Sequence, residues 1–285
     1  MATRLTFSLL VATLALLLLS CGRAAARQRL EVQRHLKRLN KPPVKTITMR
    51  PAFYPERTAN KVESHKNSPS IAQLWHRNGR CPENTVPIRR TKREDLLRAS
   101  SVKRYGRKKH KSISMPLTVD SDLLNESGHQ ISNDIAMGAS IFPLSDFGGS
   151  QYDISILVWK DPQEGHWWIQ FGNDYVLGYW PSFLFSYLAE SASMIQWGGE
   201  VVNSELEGEH TSTEMGSGHF PEEGFGKASY FRNIQIVDES NNLKAPKEVG
   251  TFTEQSSCYD VQNGNNDDWG HYIYYGGPGR NTGCP

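Results

Sequence analysis

Three adjoining stretches decide the fold class: Tyr152-Asp-Ile-Ser-Ile-Leu-Val-Trp159, Lys160-Asp-Pro-Gln-Glu-Gly165 and His166-Trp-Trp-Ile-Gln-Phe171. The first alternates and is rich in β-branched and aromatic residues, which fit a pleated, half-buried strand. The second collects turn formers, and the third is the returning strand. Gly172-Asn173-Asp174 turns the chain again into Tyr175-Val-Leu-Gly-Tyr-Trp180. Beyond it, Pro181 to Ala192 is expected to form one helix, because Phe183, Leu184, Tyr187 and Leu188 share a face at helical spacing. Ile195-Gln-Trp-Gly-Gly-Glu-Val-Val202 is expected to resume as a strand with a glycine pair inside it. A meander of short strands with one helix and no βαβ rhythm predicts an all-β fold, an antiparallel β-sandwich or barrel-like domain.

The chain has 285 residues, enough for one good-sized domain with a smaller segment, or for two small domains. A formal net charge of +2 conceals two opposite halves. Gln28 to Ser112 carries 23 Lys and Arg against 6 Asp and Glu, whereas Ile113 to Pro285 carries 6 against 24. Any function must account for that split.

Arg4 precedes an apolar run from Leu5 to Leu19, which ends at the small residues Ala24, Ala25 and Ala26. That pattern predicts a secretory signal peptide over residues 1–26 and a secreted, extracellular protein with no membrane partner. The run is short for a membrane span. Leu18-Leu19-Ser20-Cys21-Gly22 offers a lipoprotein-type alternative, ranked lower because Ala24 and Ala26 already supply an ordinary cleavage site.

Beyond the signal lie Cys81, Cys258 and Cys284. Three cysteines in an oxidising compartment leave one bridge and one orphan, or a partner in another chain. Cys258 and Cys284 bracket the last segment and are expected to pair, with Cys81 left over. Asn125-Glu126-Ser127 is an acceptor sequon for N-glycosylation at Asn125.

In the basic half, Val32, Leu36 and Leu39 recur at i, i+4 and i+7, so Gln28 to Leu39 reads as a short amphipathic helix. Pro42, Pro43, Pro51 and Pro55 then forbid regular helix. Cys81 to Arg90 reads as extended chain and Lys92 to Ser101 as a brief helix. Arg104-Tyr-Gly-Arg-Lys-Lys-His-Lys111 suits a solvated linker or a cleavage site. Such a run also suits nucleic acid, but export makes nucleic acid an unexpected partner.

Phosphate-binding loops and a serine-nucleophile elbow are absent from the sequence. His210 and His219 lie too far apart for a zinc-protease helix, so no metal and no cofactor is expected. Carboxylates and aromatics remain. Trp159, Trp167, Trp168, Trp180 and Trp197 crowd one region, the composition of a sandwich core or of a platform for sugar or peptide stacking. Trp180 and Trp197 are the candidate substrate-binding residues. Glu200 follows Gly198-Gly199, where backbone is able to approach a ligand closely; a glutamate in a strand is most often simply a solvated face, and Glu200 is carried forward as the candidate catalytic carboxyl.

At these residues the chain resembles the neprosin family of secreted plant peptidases. The resemblance runs through Arg50-Pro-Ala-Phe-Tyr-Pro55 and Cys81-Pro-Glu-Asn-Thr-Val-Pro-Ile-Arg-Arg90. It resumes from Asp134 to Pro285, with Trp197-Gly-Gly-Glu-Val201, His210-Thr211, Met215-Gly-Ser-Gly-His-Phe-Pro221 and Tyr275-Gly-Gly-Pro-Gly279 in family order. It implies a zymogen, with a basic activation-type pro-segment over 27–112 and a partial catalytic-type β-sandwich over 113–285. It also implies a glutamic peptidase that cleaves proline-containing peptides or proteins under acid conditions, in the cell wall, the vacuole or the extracellular space. Two glutamates form that family's catalytic pair, and Glu200 aligns with the second.

Two neighbouring carboxyls do not both ionise easily, so one keeps a proton to donate while the other activates water. Acid would also neutralise carboxylates in the acidic half, which fits a charge-clamped zymogen in which the basic pro-segment is the intramolecular partner. The family's first glutamate lies in an Ile-Glu-Ala-Gly-Trp-like strand that has no counterpart here. Gly128-His-Gln130 runs almost directly into Ile131, so the chain reads as an internally shortened member, with unpaired strand edges and apolar faces expected to be exposed. A second gap near Val44-Lys45-Thr46 removes the cysteine that the resemblance would pair with Cys81. The alternative reading is a catalytically inactive secreted protein that binds peptide or cell-wall polymer, and a lectin-like structural sandwich is a third.

Overall fold

The computed structural model describes residues 26–40, 49–57, 72–83, 85–98, 102, 105, 128–173, 175–203 and 208–285. The signal peptide, Asn125 and most of the basic run Arg104–Lys111 fall outside the described residues. Internal contacts divide the chain into two units, one of residues 1–47 and 88–117 and the other of residues 48–87 and 118–285. The chain therefore crosses between units three times, and each unit is built from two separate stretches.

In the first unit, α1 spans residues 26–39 and α2 spans Arg93–Arg98. Val32 is the buried member of the apolar row on α1, and Leu96 is fully buried on α2. Asn40 ends α1 and exchanges two hydrogen bonds with the Thr91 backbone. Its Nδ2 donates to the Thr91 carbonyl at 2.8 Å and its Oδ1 accepts the Thr91 N–H at 2.9 Å. Asp95 accepts the Lys92 N–H at 2.8 Å, and with Glu94 it places negative charge at the start of α2, where the helix dipole favours it.

The second unit is all-β. Its strands are β1 (Glu56–Arg57), β2 (Ala72–Gln73), β3 (His129–Gln130), β4 (Ile141–Phe142), β5 (Ile156–Lys160), β6 (Trp167–Phe171), β7 (Tyr175–Trp180), β8 (Ser229–Phe231), β9 (Ile236–Val237), β10 (Asn242–Lys244), β11 (Asp260–Asn266) and β12 (Gly270–Gly276). They form an antiparallel four-stranded sheet in the order β3-β7-β6-β5 and an antiparallel three-stranded sheet in the order β11-β12-β8. Two small sheets are β1-β10-β9 and β2-β4, and β1 pairs with β10 in parallel.

The core sits on the four-stranded sheet. Register places Trp159 opposite Trp168, Trp168 opposite Tyr179, and Tyr179 opposite His129, so one row of rings crosses all four strands. Trp159 and Trp168 are 1 % and 0 % exposed, with Met49, Leu157 and Val237 packed against them. These tryptophans are core, as cross-strand aromatic pairs favour. Gly178 is what lets β3 pair with β7, because a Cβ there would meet the His129 carbonyl oxygen at 2.0 Å. On the edge strand β5 the alternate residues face outward, and Ile156 and Val158 are 57 % and 44 % exposed.

Three expected elements differ. The strand expected from Tyr152 to Trp159 begins only at Ile156 and takes in Lys160. Residues 181–192 hold only a 3-10 turn at Ser182–Leu184, followed by bends. The chain's polar groups there serve other partners: the Ser182 N–H donates to His166 Nδ1 at 3.2 Å, and Trp167 Nε1 donates to the Leu188 carbonyl at 3.0 Å. Phe183 is 81 % exposed, so the apolar face that a helix needs has nothing to bury against. Residues 195–202 carry no strand ladder.

Candidate active site

The segment that carries Glu200 is fixed through Gly199. A Cβ at Gly199 would lie 2.6 Å from Met215 Cγ, 2.8 Å from Met215 Sδ and 3.1 Å from Tyr275 Cε2. Glycine is needed because backbone presses directly on those side chains. The close approach expected for a ligand is therefore made here by the protein's own Met215 and Tyr275. Glu200 follows immediately and is exposed, on irregular chain.

Met215 and Tyr275 belong to the two glycine-rich motifs, and the structure joins those motifs. Met215 and Gly277 form an isolated antiparallel bridge, with the Met215 N–H donating to the Gly277 carbonyl at 3.0 Å. Gly279, at φ +72°, has the Thr211 and Thr213 carbonyls where a side chain would stand. Arg280 N–H donates to the Thr211 carbonyl at 2.9 Å, and the Tyr259 hydroxyl donates to the Thr213 carbonyl at 2.7 Å. Cys258 and Cys284 are bonded and fully buried beside this crossing. Sequence segments far apart thus converge on the backbone that supports Glu200.

His210 is buried, and a ring nitrogen of it lies within 4.8 Å of both bonded sulfurs. Because the sulfurs are bonded to each other, they offer no thiolates to a metal. His219 Nδ1 lies 2.8 Å from Glu223 Oε1, with the Phe147 ring 4.4 Å from the imidazole. Sequence reading did not single out this carboxylate–imidazole pair, although its i, i+4 spacing was visible.

The remaining candidates are dispersed. Trp180 ends β7 and is half-buried, its Nε1 lying 3.1 Å from where a Cβ on Gly128 would stand. Trp197 is half-buried on the same irregular segment as Glu200. Trp180 therefore belongs to the four-stranded sheet, while Trp197 and Glu200 run beside the three-stranded one. Cys81 is half-buried and unbonded.

The opposite face of the three-stranded sheet carries another cluster. Tyr230 and Tyr274 are register partners, and the Trp269 ring lies 4.9 Å and 5.8 Å from theirs. The Tyr230 hydroxyl donates to Asp153 Oδ2 at 3.3 Å, and Arg232 Nε donates to the same oxygen at 2.5 Å. Burial first, and the Asp153 charge second, push the Tyr230 phenol up to about 12. A phenol held protonated in the fold stabilises it below the ordinary tyrosine pKa of about 10, and that stability is lost as pH rises toward 12. Alkaline absorbance titration should show a late-ionising tyrosine that disappears in Tyr230→Phe.

Two family models match the chain, and together they support a zymogen-type peptidase family. The chain matches the Neprosin family model over residues 123–278 and the Neprosin activation peptide model over residues 39–133. It belongs to the neprosin family, with an intramolecular pro-segment.

Proposed function

We propose that this chain is a secreted peptidase zymogen that cleaves at proline under acid conditions, with Glu200 as the retained member of a catalytic glutamate pair. One observation carries the reading. Glu200 is solvent-exposed and directly follows Gly199, whose backbone is seated against Met215 and Tyr275, so the residue next to the carboxylate rests on packed structure. Fixed placement on packed backbone is what a catalytic carboxyl requires. In its ionised form Glu200 would take the proton from an attacking water, the base half of a two-carboxyl mechanism. Trp197, on the same segment, would supply a stacking surface for a proline ring.

The missing Ile-Glu-Ala-Gly-Trp-like segment favours a second reading, a secreted member that binds proline-containing peptide or cell-wall polymer without cleaving it. Cleavage of a proline-containing peptide at acid pH separates the two. Under the first reading Glu200→Gln lowers the rate by at least about a hundredfold, the usual range for a lost general base. Absence of cleavage by a folded wild-type protein favours the second.

A further inference from the structure

We infer that the described parts of the 49–87 strap, residues 49–57, 72–83 and 85–87, although they lie within the activation-peptide match, are a structural part of the catalytic-type unit and stay bound to it when the chain is cut at its basic run. The inference rests on the zymogen reading only for its biological setting.

The binding surface is built at both ends of this strap. At the first end, Asp161 is fully buried in the turn between β5 and β6. Its Oδ2 accepts the Ala52 and Phe53 N–H groups at 2.7 and 3.1 Å, while its Oδ1 accepts those of Gln163 and Glu164 at 2.8 and 3.3 Å. A buried carboxylate needs such donors, and half of them come from the strap. Trp159 Nε1 donates to the Phe53 carbonyl at 3.0 Å, and Met49 packs on the aromatic core. Pro51 and Pro55 are buried, and β1 then adds itself to β10.

At the second end, Gln73 is 3 % exposed and exchanges two hydrogen bonds with the Ala136 backbone, donating at 3.0 Å and accepting at 2.8 Å. Trp75 Nε1 donates to Gln73 Oε1 at 2.6 Å, His76 Nε2 meets the Asp134 carbonyl at 2.8 Å, and β2 pairs with β4. Gln130 Nε2 donates to the Pro87 carbonyl at 3.1 Å. Removing the strap would strip partners from a buried carboxylate and a buried amide, besides opening two sheet edges.

Topology gives the consequence. The first unit lies on both sides of the strap in sequence, as residues 1–47 and 88–117. A single cut in Arg104–Lys111 leaves an N-terminal piece that still carries the strap. Freeing the first unit then requires further cuts near residues 47 and 87, and the strap remains behind.

The test inserts a site-specific protease sequence between Lys111 and Ser112 of the full chain, so that it does not depend on any activity of Glu200. After cutting, the two pieces should separate on a denaturing gel but co-elute in native gel filtration, and this should persist in high salt. Ala52→Pro removes one N–H from Asp161, and Gln73→Ala empties the other anchor. Each variant, shown folded before cutting, should speed dissociation roughly tenfold, as expected for a lost buried hydrogen bond. Separation of the wild-type pieces under native conditions would overturn the inference. So would co-elution that neither variant weakens, since the pieces would then be held by something other than the strap.

Discussion

Asp161→Ala is expected to destabilise the second unit by about 3 kcal/mol or more, because each unsatisfied buried donor costs about 1–3 kcal/mol. Four backbone N–H groups converge on that carboxylate, two from its own turn and two from Ala52 and Phe53. The turn donors at Gln163 and Glu164 sit on exposed residues and recover water. Those at Ala52 and Phe53 also sit on exposed residues, but they belong to the strap, and losing them releases its first end from the turn as well. Asp161→Asn should fall between: its oxygen serves one pair of donors while its amide faces the other pair donor to donor. Urea unfolding followed by tryptophan fluorescence reads both variants, since Trp159 and Trp168 report this core. The expected result is a lowered midpoint at unchanged slope. A midpoint that stays within error for Asp161→Ala would show that the buried carboxylate contributes little.

Gly178→Ala should be comparably severe, on the order of 3 kcal/mol, and for a steric reason. The added Cβ would stand 2.0 Å from the His129 oxygen and 3.1 Å from Gln130 Cα, both backbone atoms of β3. No side-chain rotation relieves that, so β3 must leave β7. With it go the Ile131 and Ser132 N–H bonds to the Leu177 carbonyl, at 2.8 and 3.2 Å, and the Gln130 amide that ties Ile135 and Pro87 together. Hydrogen exchange locates the damage. Ile131 and Ser132 amides should lose protection while the β11–β12 hairpin keeps its own.

The strands carrying the strongest local pattern were legible in the sequence. Tyr175 to Trp180 is a strand over its whole expected length, and Ile156–Lys160 and Trp167–Phe171 turn about Asp161–Gly165 as alternation and turn chemistry require. The 181–192 segment was misread because helical spacing records only that apolar residues align, not that a surface exists to cover them. Phe183 and Tyr187 have none. Residues 195–202 have strand composition, but Gly199 seats the backbone on Met215 and Tyr275 instead of on a strand edge. Glu200 was visible as a candidate through its glycine neighbours. Its support was not, because Met215, Tyr275 and Gly277 come together only through long-range packing. Asp161 read as a turn residue, and nothing local announced that half of its partners lie 108 and 109 residues away.

The pairing of β1 with β10 also bears on how the protein is made. Glu56 finds its register partner in Asn242, so the β1 ladder waits until most of the chain has left the ribosome. At the usual ~5–20 residues per second, that leaves β1 without its strand neighbour for roughly ten to forty seconds. Contacts this distant in sequence close slowly even once both sides are present. A nascent chain of this kind is a natural client for a folding helper. Its yield when produced in a foreign host should rise with slower, cooler synthesis more than with any change to its surface.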